Sequence, residues 1–268
     1  MEEHNSLFKE RLRQSRIKIL EAHYKAGAGH IGSSLSCIDL MGALYFKEKT
    51  NEDIFILSKG HAAVALYVCL YLCNEITEDL LNSYYQNGTM LPVHPPPGRF
   101  KGIPFATGSL GHGLSVGAGV AKARKLKQDN SSYVYALLSD GETNAGSCWE
   151  AAHFAVKHKL NNLIVLIDKN KLQGFGTTEE TLGDTASAAQ WQSMGFEVVE
   201  LDGHNIEEIT NALQNLKKSA TSAPKLIIAN TIKGKGVSFM ENKLEWHYLS
   251  LNAEQYQQAL DELTKNSA

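Results

Sequence analysis

An aspartate and an asparagine thirty positions apart, Asp140 and Asn170, are the side chains around which this 268-residue sequence can be read. A carboxylate and a carboxamide are hard oxygen donors, suited to Mg2+ and also to Ca2+ or Mn2+. Mg2+ takes few protein ligands and completes its shell from water and phosphate. Gly141, next to the aspartate, lets a phosphate approach the backbone. The helix expected after it offers free N–H groups and a positive dipole end. The joint chemistry is a diphosphate held through a divalent cation. Taken singly, Asp140-Gly141 is a turn and Asp168-Lys169-Asn170 a polar loop. Their placement is what joins them.

That placement comes from a strand–helix–strand unit. Tyr133 to Leu138 is an apolar run broken by Ser139-Asp140-Gly141. A helical pattern follows, with Trp149, Ala152, Phe154 and Val156. A second apolar run, Leu163 to Ile167, stops at Asp168-Lys169-Asn170. This is a βαβ unit, and parallel strands end at one sheet edge, where open α/β folds bind ligands.

The remaining chain repeats that alternation. An amphipathic helix is expected over 6–26, ending at Gly27-Ala28-Gly29-His30. A helix over 35–46, a strand from Asp53 to Leu57 and a helix over 62–73 follow, with Ser58-Lys59-Gly60-His61 between the last two. Residues 74–105 carry a short helix, then a loop with five of the six prolines and His94. Such a stiff loop reads as a lid or wall. Thr107 to Ser115 is glycine-rich and opens a helix to about Lys127. Beyond the central unit lie a Gly/Thr-rich loop at 173–190, a helix at 187–194 and a strand from Glu197 to Leu201. A helix at 206–217 follows, with His204 beside its N-cap, then a strand from Lys225 to Asn230. A basic glycine turn, Thr231 to Gly236, suits a phosphate or plain solvent, and a polar helix closes the chain over 251–268. The fold class is α/β: an open, mainly parallel sheet with helices on both faces, with 1–268 as a single domain.

Several function classes are excluded. A net charge of -3 makes no case for a nucleic-acid surface. No apolar run has membrane length, and the charged start lacks a signal core, so a cytoplasmic protein is expected. The four cysteines form no CxxC pair, and Cys69 and Cys73 lie in an apolar helical pattern, so buried free thiols are expected. Gly111 and Gly113 follow a loop, not a strand, which removes a dinucleotide fingerprint. Neither a Walker A run nor a GxSxG elbow is present.

Asp140-Gly141, the helix with Trp149-Glu150-Ala151-Ala152, the apolar strand and Asn170 together resemble the thiamine diphosphate motif in its transketolase version. The resemblance extends from about Arg11 to Tyr248 through KAGAGHIGSSLS, SKGHAAVALY, TGSLGHG and TIKGKGVSFMEN with Trp246-His247. It is greatest to the N-terminal, diphosphate-binding subunit of a split transketolase. It implies metal ligation by Asp140, Asn170 and the Leu172 carbonyl. His61 would meet the diphosphate, main chain at Gly108 and Leu110 the aminopyrimidine, and His247 would sit between diphosphate and substrate. His30 would lie beside the reacting carbon and His94 at the substrate channel. The four histidines His30, His61, His94 and His247 would move protons and hold oxyanions.

This sequence departs from the family at Ile31 (often Pro), His112 (usually Gln), Ser139 (usually Gly) and Ala145 (usually a Glu in a network across the subunit interface). Glu142 and Glu150 do not occupy that last position. The implied activity is transfer of a two-carbon ketol unit from a ketose to an aldose, with a sugar or sugar phosphate as substrate. The implied partner is a separate C-terminal subunit whose pyrimidine-binding domain carries the activating Glu, in a heterotetramer. Two alternatives stay open: another thiamine diphosphate enzyme, such as a 1-deoxyxylulose-5-phosphate synthase-like or specialised ketol-transfer enzyme, and a non-catalytic cofactor-binding or regulatory chain.

Overall fold

Five apolar runs pair into one sheet: β1 (Ile54–Leu57), β2 (Val134–Ser139), β3 (Leu163–Lys169), β4 (Glu197–Asp202) and β5 (Lys225–Asn230). The computed structural model describes residues 2–129 and 131–265, with side chains from Ser6. The strand order is β1-β2-β3-β5-β4 and every pairing is parallel. β2 and β3 are buried along their whole length, which is why they read as continuous apolar runs.

Alternate side chains feed two cores. Tyr135, Leu137, Ile164, Leu166 and Ile227 pack with α1 (Glu2–Ala26), α2 (Ile31–Ala43), α3 (Ala63–Leu72), α4 (Glu78–Asn82), α9 (Ile206–Lys218) and α10 (Ala253–Lys265). Val134, Ala136, Leu138, Val165 and Ile228 pack with α5 (Gly113–Leu126), α6 (Gly146–Lys157) and α8 (Ala188–Met194). The short α7 (Thr178–Leu182) buries nothing.

The chain crosses from β1 to β2, β3 and β4 in one direction, with α5, α6 and α8 on one face. It then steps back from β4 to β5 through α9 on the other face. Right-handed crossovers require that change of face when the direction reverses. β3 and β5 are neighbours, yet the chain leaves them toward opposite faces. A crevice therefore opens at their carboxyl ends, the ligand position of doubly wound sheets. Ser139, Asp168 and Ala229 form one row of the register, so Asp140, Asn170 and Thr231 emerge together.

Several boundaries differ from expectation for definable reasons. α2 begins at Ile31, not 35, because all its residues are buried, and burial overrides the weak propensity of Gly-Ser-Ser. It ends at Ala43, and a π turn covers Leu44–Glu48. β3 continues through Asp168 and Lys169, expected as loop, because pairing to β5 persists and both charges are matched. The residues after Gly141 form a 3-10 turn, Gly141–Asn144, and α6 starts only at Gly146. The loop at 173–190 contains α7, started by a capping box between Thr177 and Glu180. The polar tail is α10, whose Ala259 and Leu263 are core residues; 266–268 lie outside the described residues. The four cysteines are free, and all but Cys73 are buried. Among the described residues no helix is long and apolar enough to cross a membrane.

One charge pair pins the crevice. Asp168 and Lys59 are both fully buried and bonded to each other. Asp168 also accepts the hydroxyls of Ser36 (2.6 Å) and Thr231, and Lys59 donates to the Ser33 carbonyl at 3.2 Å. Burial alone would raise the carboxyl and lower the ammonium; the partner charge outweighs it, so Asp168 stays below and Lys59 above its usual range. Removing one partner strands a buried charge. Lys59→Met and Asp168→Leu should each cost about 3–5 kcal/mol in urea unfolding, and the double variant less than the sum of the two.

Candidate active site

A cleft of about 280 Å³ lies above the carboxyl ends of β1, β2 and β3, beside the β3–β5 crevice, and Lys233 reaches it from the segment after β5. It gathers every expected site residue except Asp140, which is buried between the lining residues Ser139 and Gly141. A larger cavity, about 800 Å³, lies by the amino end of β1 and holds none of them.

Three imidazoles face one another. His30 caps α2 in a left-handed conformation (φ 71°, ψ 12°) and donates its N–H to the His247 carbonyl at 3.2 Å. His61 lies on the 3-10 turn Gly60–Ala62 after β1, and His247 on the turn Leu244–His247. Their ring centroids are 5.5 Å (His30–His61), 5.1 Å (His30–His247) and 5.4 Å (His61–His247) apart. His94 stands at the exposed rim, its ring against Gly108, where a Cβ would fit only tightly. Leu110 is at the same rim.

Burial pushes all four imidazoles down, His61 well down and His247 to about 3, with neighbouring Lys59 and Lys233 adding to both. They are neutral at pH 7. Lys233, almost fully buried, lies 3.0 Å from His247 Nδ1. An ammonium can only donate, so the neutral ring keeps its proton on Nε2. Burial, then the Lys59 charge, push Lys233 down to about 8. It is still mostly charged at pH 7. Among the described residues no carboxylate lies within ion-pair distance of it. The cleft thus holds an unmatched positive charge.

The floor holds the oxygen donors. Asp140 accepts the N–H of Gly141 at 2.8 Å and of Lys171 at 2.5 Å. Lys171 turns that N–H inward through a left-handed conformation, φ 64°. Asn170 Oδ1 accepts the Leu172 N–H at 3.1 Å, and its Nδ2 donates to Ser36 at 3.3 Å. Burial, then the Asp168 charge, raise Asp140 to about 6. Two main-chain donors leave its oxygens with free lone pairs and too little positive charge. Gln173 lies over Gly141, leaving no room for a Cβ there, and its buried amide nitrogen has no partner among the described residues. A carboxylate short of positive charge, an idle amide donor and an unmatched ammonium fit a cation with a polyanion. Among the described residues no three His, Cys, Asp or Glu side chains gather as a metal site, so such a cation needs ligand oxygens to complete its shell.

The four departures have distinct surroundings. Ile31 is buried in α2. The Ser139 hydroxyl accepts the Glu142 N–H at 3.2 Å. His112 bonds back to the Ser109 carbonyl at 3.0 Å, is exposed and does not line the cleft. The Ala145 methyl lies beside Gly111. His204 is the neighbour of the N-cap Asn205, as expected, and also bridges Asp39 (2.7 Å) and the Ile232 N–H (2.8 Å), fixing the segment that carries Lys233. Sequence reasoning did not single out Ser33, Lys59, Asp168, Gln173 or Lys233. The signal for Asp168 and Lys59 was a charge ending each of two apolar runs. Lys233 lay within a basic glycine turn already noted.

A cation needs ionised Asp140, whose folded carboxyl titrates near 6 against about 4 unfolded. Mg2+–pyrophosphate binding should hold above about pH 6.5 and weaken about tenfold per unit below about 6, with proton release to buffer seen by calorimetry as the cation enters. Asp140→Asn should weaken binding and flatten that dependence. Because His30 is left-handed, His30→Gly should be more stable than His30→Ala by about 1 kcal/mol in urea unfolding.

The sequence profile of the transketolase thiamine diphosphate-binding domain matches residues 9–267. One of the subunits of an apulose-4-phosphate transketolase from Phocaeicola vulgatus is 40% identical over 262 residues, covering 94% of this chain and 92% of that one. A 6-deoxy-6-sulfo-D-fructose transketolase subunit from Clostridium sp. is 39% identical, covering 93% of each. The crystal structure of transketolase from Campylobacter jejuni superposes with a TM-score of 0.86 at 30% identity, over 95% of this chain. This chain spans 43% of that enzyme.

Proposed function

The chain belongs to the transketolase family, through its thiamine diphosphate-binding domain, and on that premise we propose that it is the N-terminal subunit of a two-part ketol transferase. The observation that carries the reading is the triangle of neutral imidazoles set over Asp140 and Asn170 in one cleft. The residues of 1–268 serve as one cofactor-binding domain. Asp140, Asn170 and the Leu172 carbonyl hold Mg2+, a role Ca2+ or Mn2+ also fits. Gly141, His61 and His247 meet the diphosphate, with Lys233 adding charge. Main chain at Gly108 and Leu110 meets the aminopyrimidine. When bound, thiamine diphosphate supplies the carbanion chemistry by which carbon–carbon bonds break and form.

The protein side follows from protonation states. His247 presents Nε2–H, because Lys233 occupies Nδ1, and so donates to an anionic or carbonyl oxygen. His30, within ring contact of both His61 and His247, exchanges protons with substrate hydroxyls. His94, at the rim, faces the incoming sugar or sugar phosphate. The two-carbon unit passes from a ketose to an aldose acceptor.

A partner is supported by lengths: the chain covers 92% of a relative that is itself one subunit of a transketolase, but under half of an undivided transketolase. The partner supplies the pyrimidine-binding domain and its activating Glu, in a cytoplasmic heterotetramer. Calorimetry of thiamine diphosphate with Mg2+, with and without that partner, followed by a ketol-transfer assay, tests the reading. Turnover only in the mixture is expected, with His30→Ala and His247→Ala losing about a hundredfold or more in kcat. Cofactor binding without turnover on any ketose would contradict it.

A further inference from the structure

Glu142 is a fully buried carboxylate that the chemistry above does not use. It lies two residues past Asp140 and does not line the cleft. Its Oε1 accepts the Ser58 hydroxyl and the Gly111 N–H, the latter at 2.7 Å, and its Oε2 lies 3.4 Å from the Ser139 N–H. Ser58 in turn accepts the Gly113 N–H at 3.0 Å. One carboxylate and the hydroxyl it holds thus take two main-chain N–H groups from the segment 107–113.

That segment is shaped for the contact. Gly111 is left-handed, φ 87°, and a side chain at Gly113 would overlap Ser58. Two further bonds fasten the segment: Thr107 Oγ1 to the Leu57 carbonyl at 2.6 Å, and Ser147 Oγ to the Gly111 carbonyl at 2.7 Å. Between these anchors lie Gly108 and Leu110, both lining the cleft. The other end of the latch is the turn Gly141–Asn144, whose N-cap is Asp140. One turn of chain therefore joins the cation-holding carboxylate to the segment on the far wall.

We propose that Glu142 is a positioning residue: it latches the segment 107–113 to the Asp140 turn and so sets the distance between the diphosphate end of the cleft and the main chain that meets the cofactor ring. The identity of the ligand rests on the function proposed above; the latch itself does not. A buried carboxylate is costly unless its bonds are specific, and here it accepts from the segment at Gly111, from Ser58, which itself holds Gly113, and from the end of β2 at Ser139.

Hydrogen exchange on the full chain tests the latch, with Glu142→Ala, Glu142→Gln and Ser58→Ala. Amides in 107–115 should exchange about tenfold faster in Glu142→Ala, those in 163–172 should not change, and Glu142→Gln, which keeps one acceptor oxygen, should restore most of the protection. With Mg2+ present, thiamine diphosphate should bind about tenfold more weakly to Glu142→Ala while inorganic pyrophosphate stays within about twofold. Should Glu142→Ala not fold, Ser58→Ala carries the same expectations, because it removes one Glu142 donor and the Gly113 acceptor. Unchanged exchange in 107–115 overturns the proposal, as does an equal loss for both ligands. If the unaltered chain and its complex bind neither ligand, the functional reading fails, and the exchange result alone decides the latch.

Discussion

The buried pair of Lys59 and Asp168 is the constraint on which the cleft depends. Asp168 lies near the end of β3, two residues before Asn170, and Lys59 follows β1, two residues before His61. Ser36 and Ser33 bring α2 to the same point, and Thr231 brings the end of β5. A parallel sheet aligns strand ends only to within a residue or two. The ion pair and its hydroxyls fix the rest, because each bond lies where water cannot substitute for a lost partner. The turn after β1, the start of α2 and the segment after β5 are therefore all tied to one carboxylate on β3.

The cleft separates charge by depth. Asp140 and Asp168 lie in the floor, Lys59 and Lys233 beside them, and the imidazoles above are held neutral by burial and by those same lysines. Neutral imidazoles can both give and take protons, whereas imidazolium ions crowded about 5 Å apart would repel. Fixed charge comes from Lys59 and Asp168, which hold each other above and below their usual ranges. The left-handed His30 fits this pattern: a strained backbone is kept because the N–H bond to His247 fixes one ring against the other.

Much of this was legible in the sequence. The β2–α6–β3 unit was read from two apolar runs and an intervening helical period, and Asp140 and Asn170 from their places at the ends. The segments carrying His30, His61, His94 and His247 were found, and the structure gathers all four at one cleft. What stayed hidden has a common physical cause. α2 begins early because tertiary burial outweighs the propensity of Gly-Ser-Ser. Asp168 looked like loop because a charge inside a parallel strand makes sense only with Lys59, over a hundred residues away. Glu142 was noted only as not filling the position of the missing interface Glu, since its partners Ser58 and Gly111 are long-range. Local pattern cannot show a charge whose justification is a distant residue.

The most direct test is a crystal structure of the chain grown with thiamine diphosphate and Mn2+, with the metal located by its anomalous signal. A peak within coordination distance of Asp140 and Asn170, with the diphosphate beside Gly141 and His61, is the predicted result. A bound cofactor with its metal elsewhere, or the diphosphate outside the cleft lined by His30, His61, Gly141 and His247, would contradict the account.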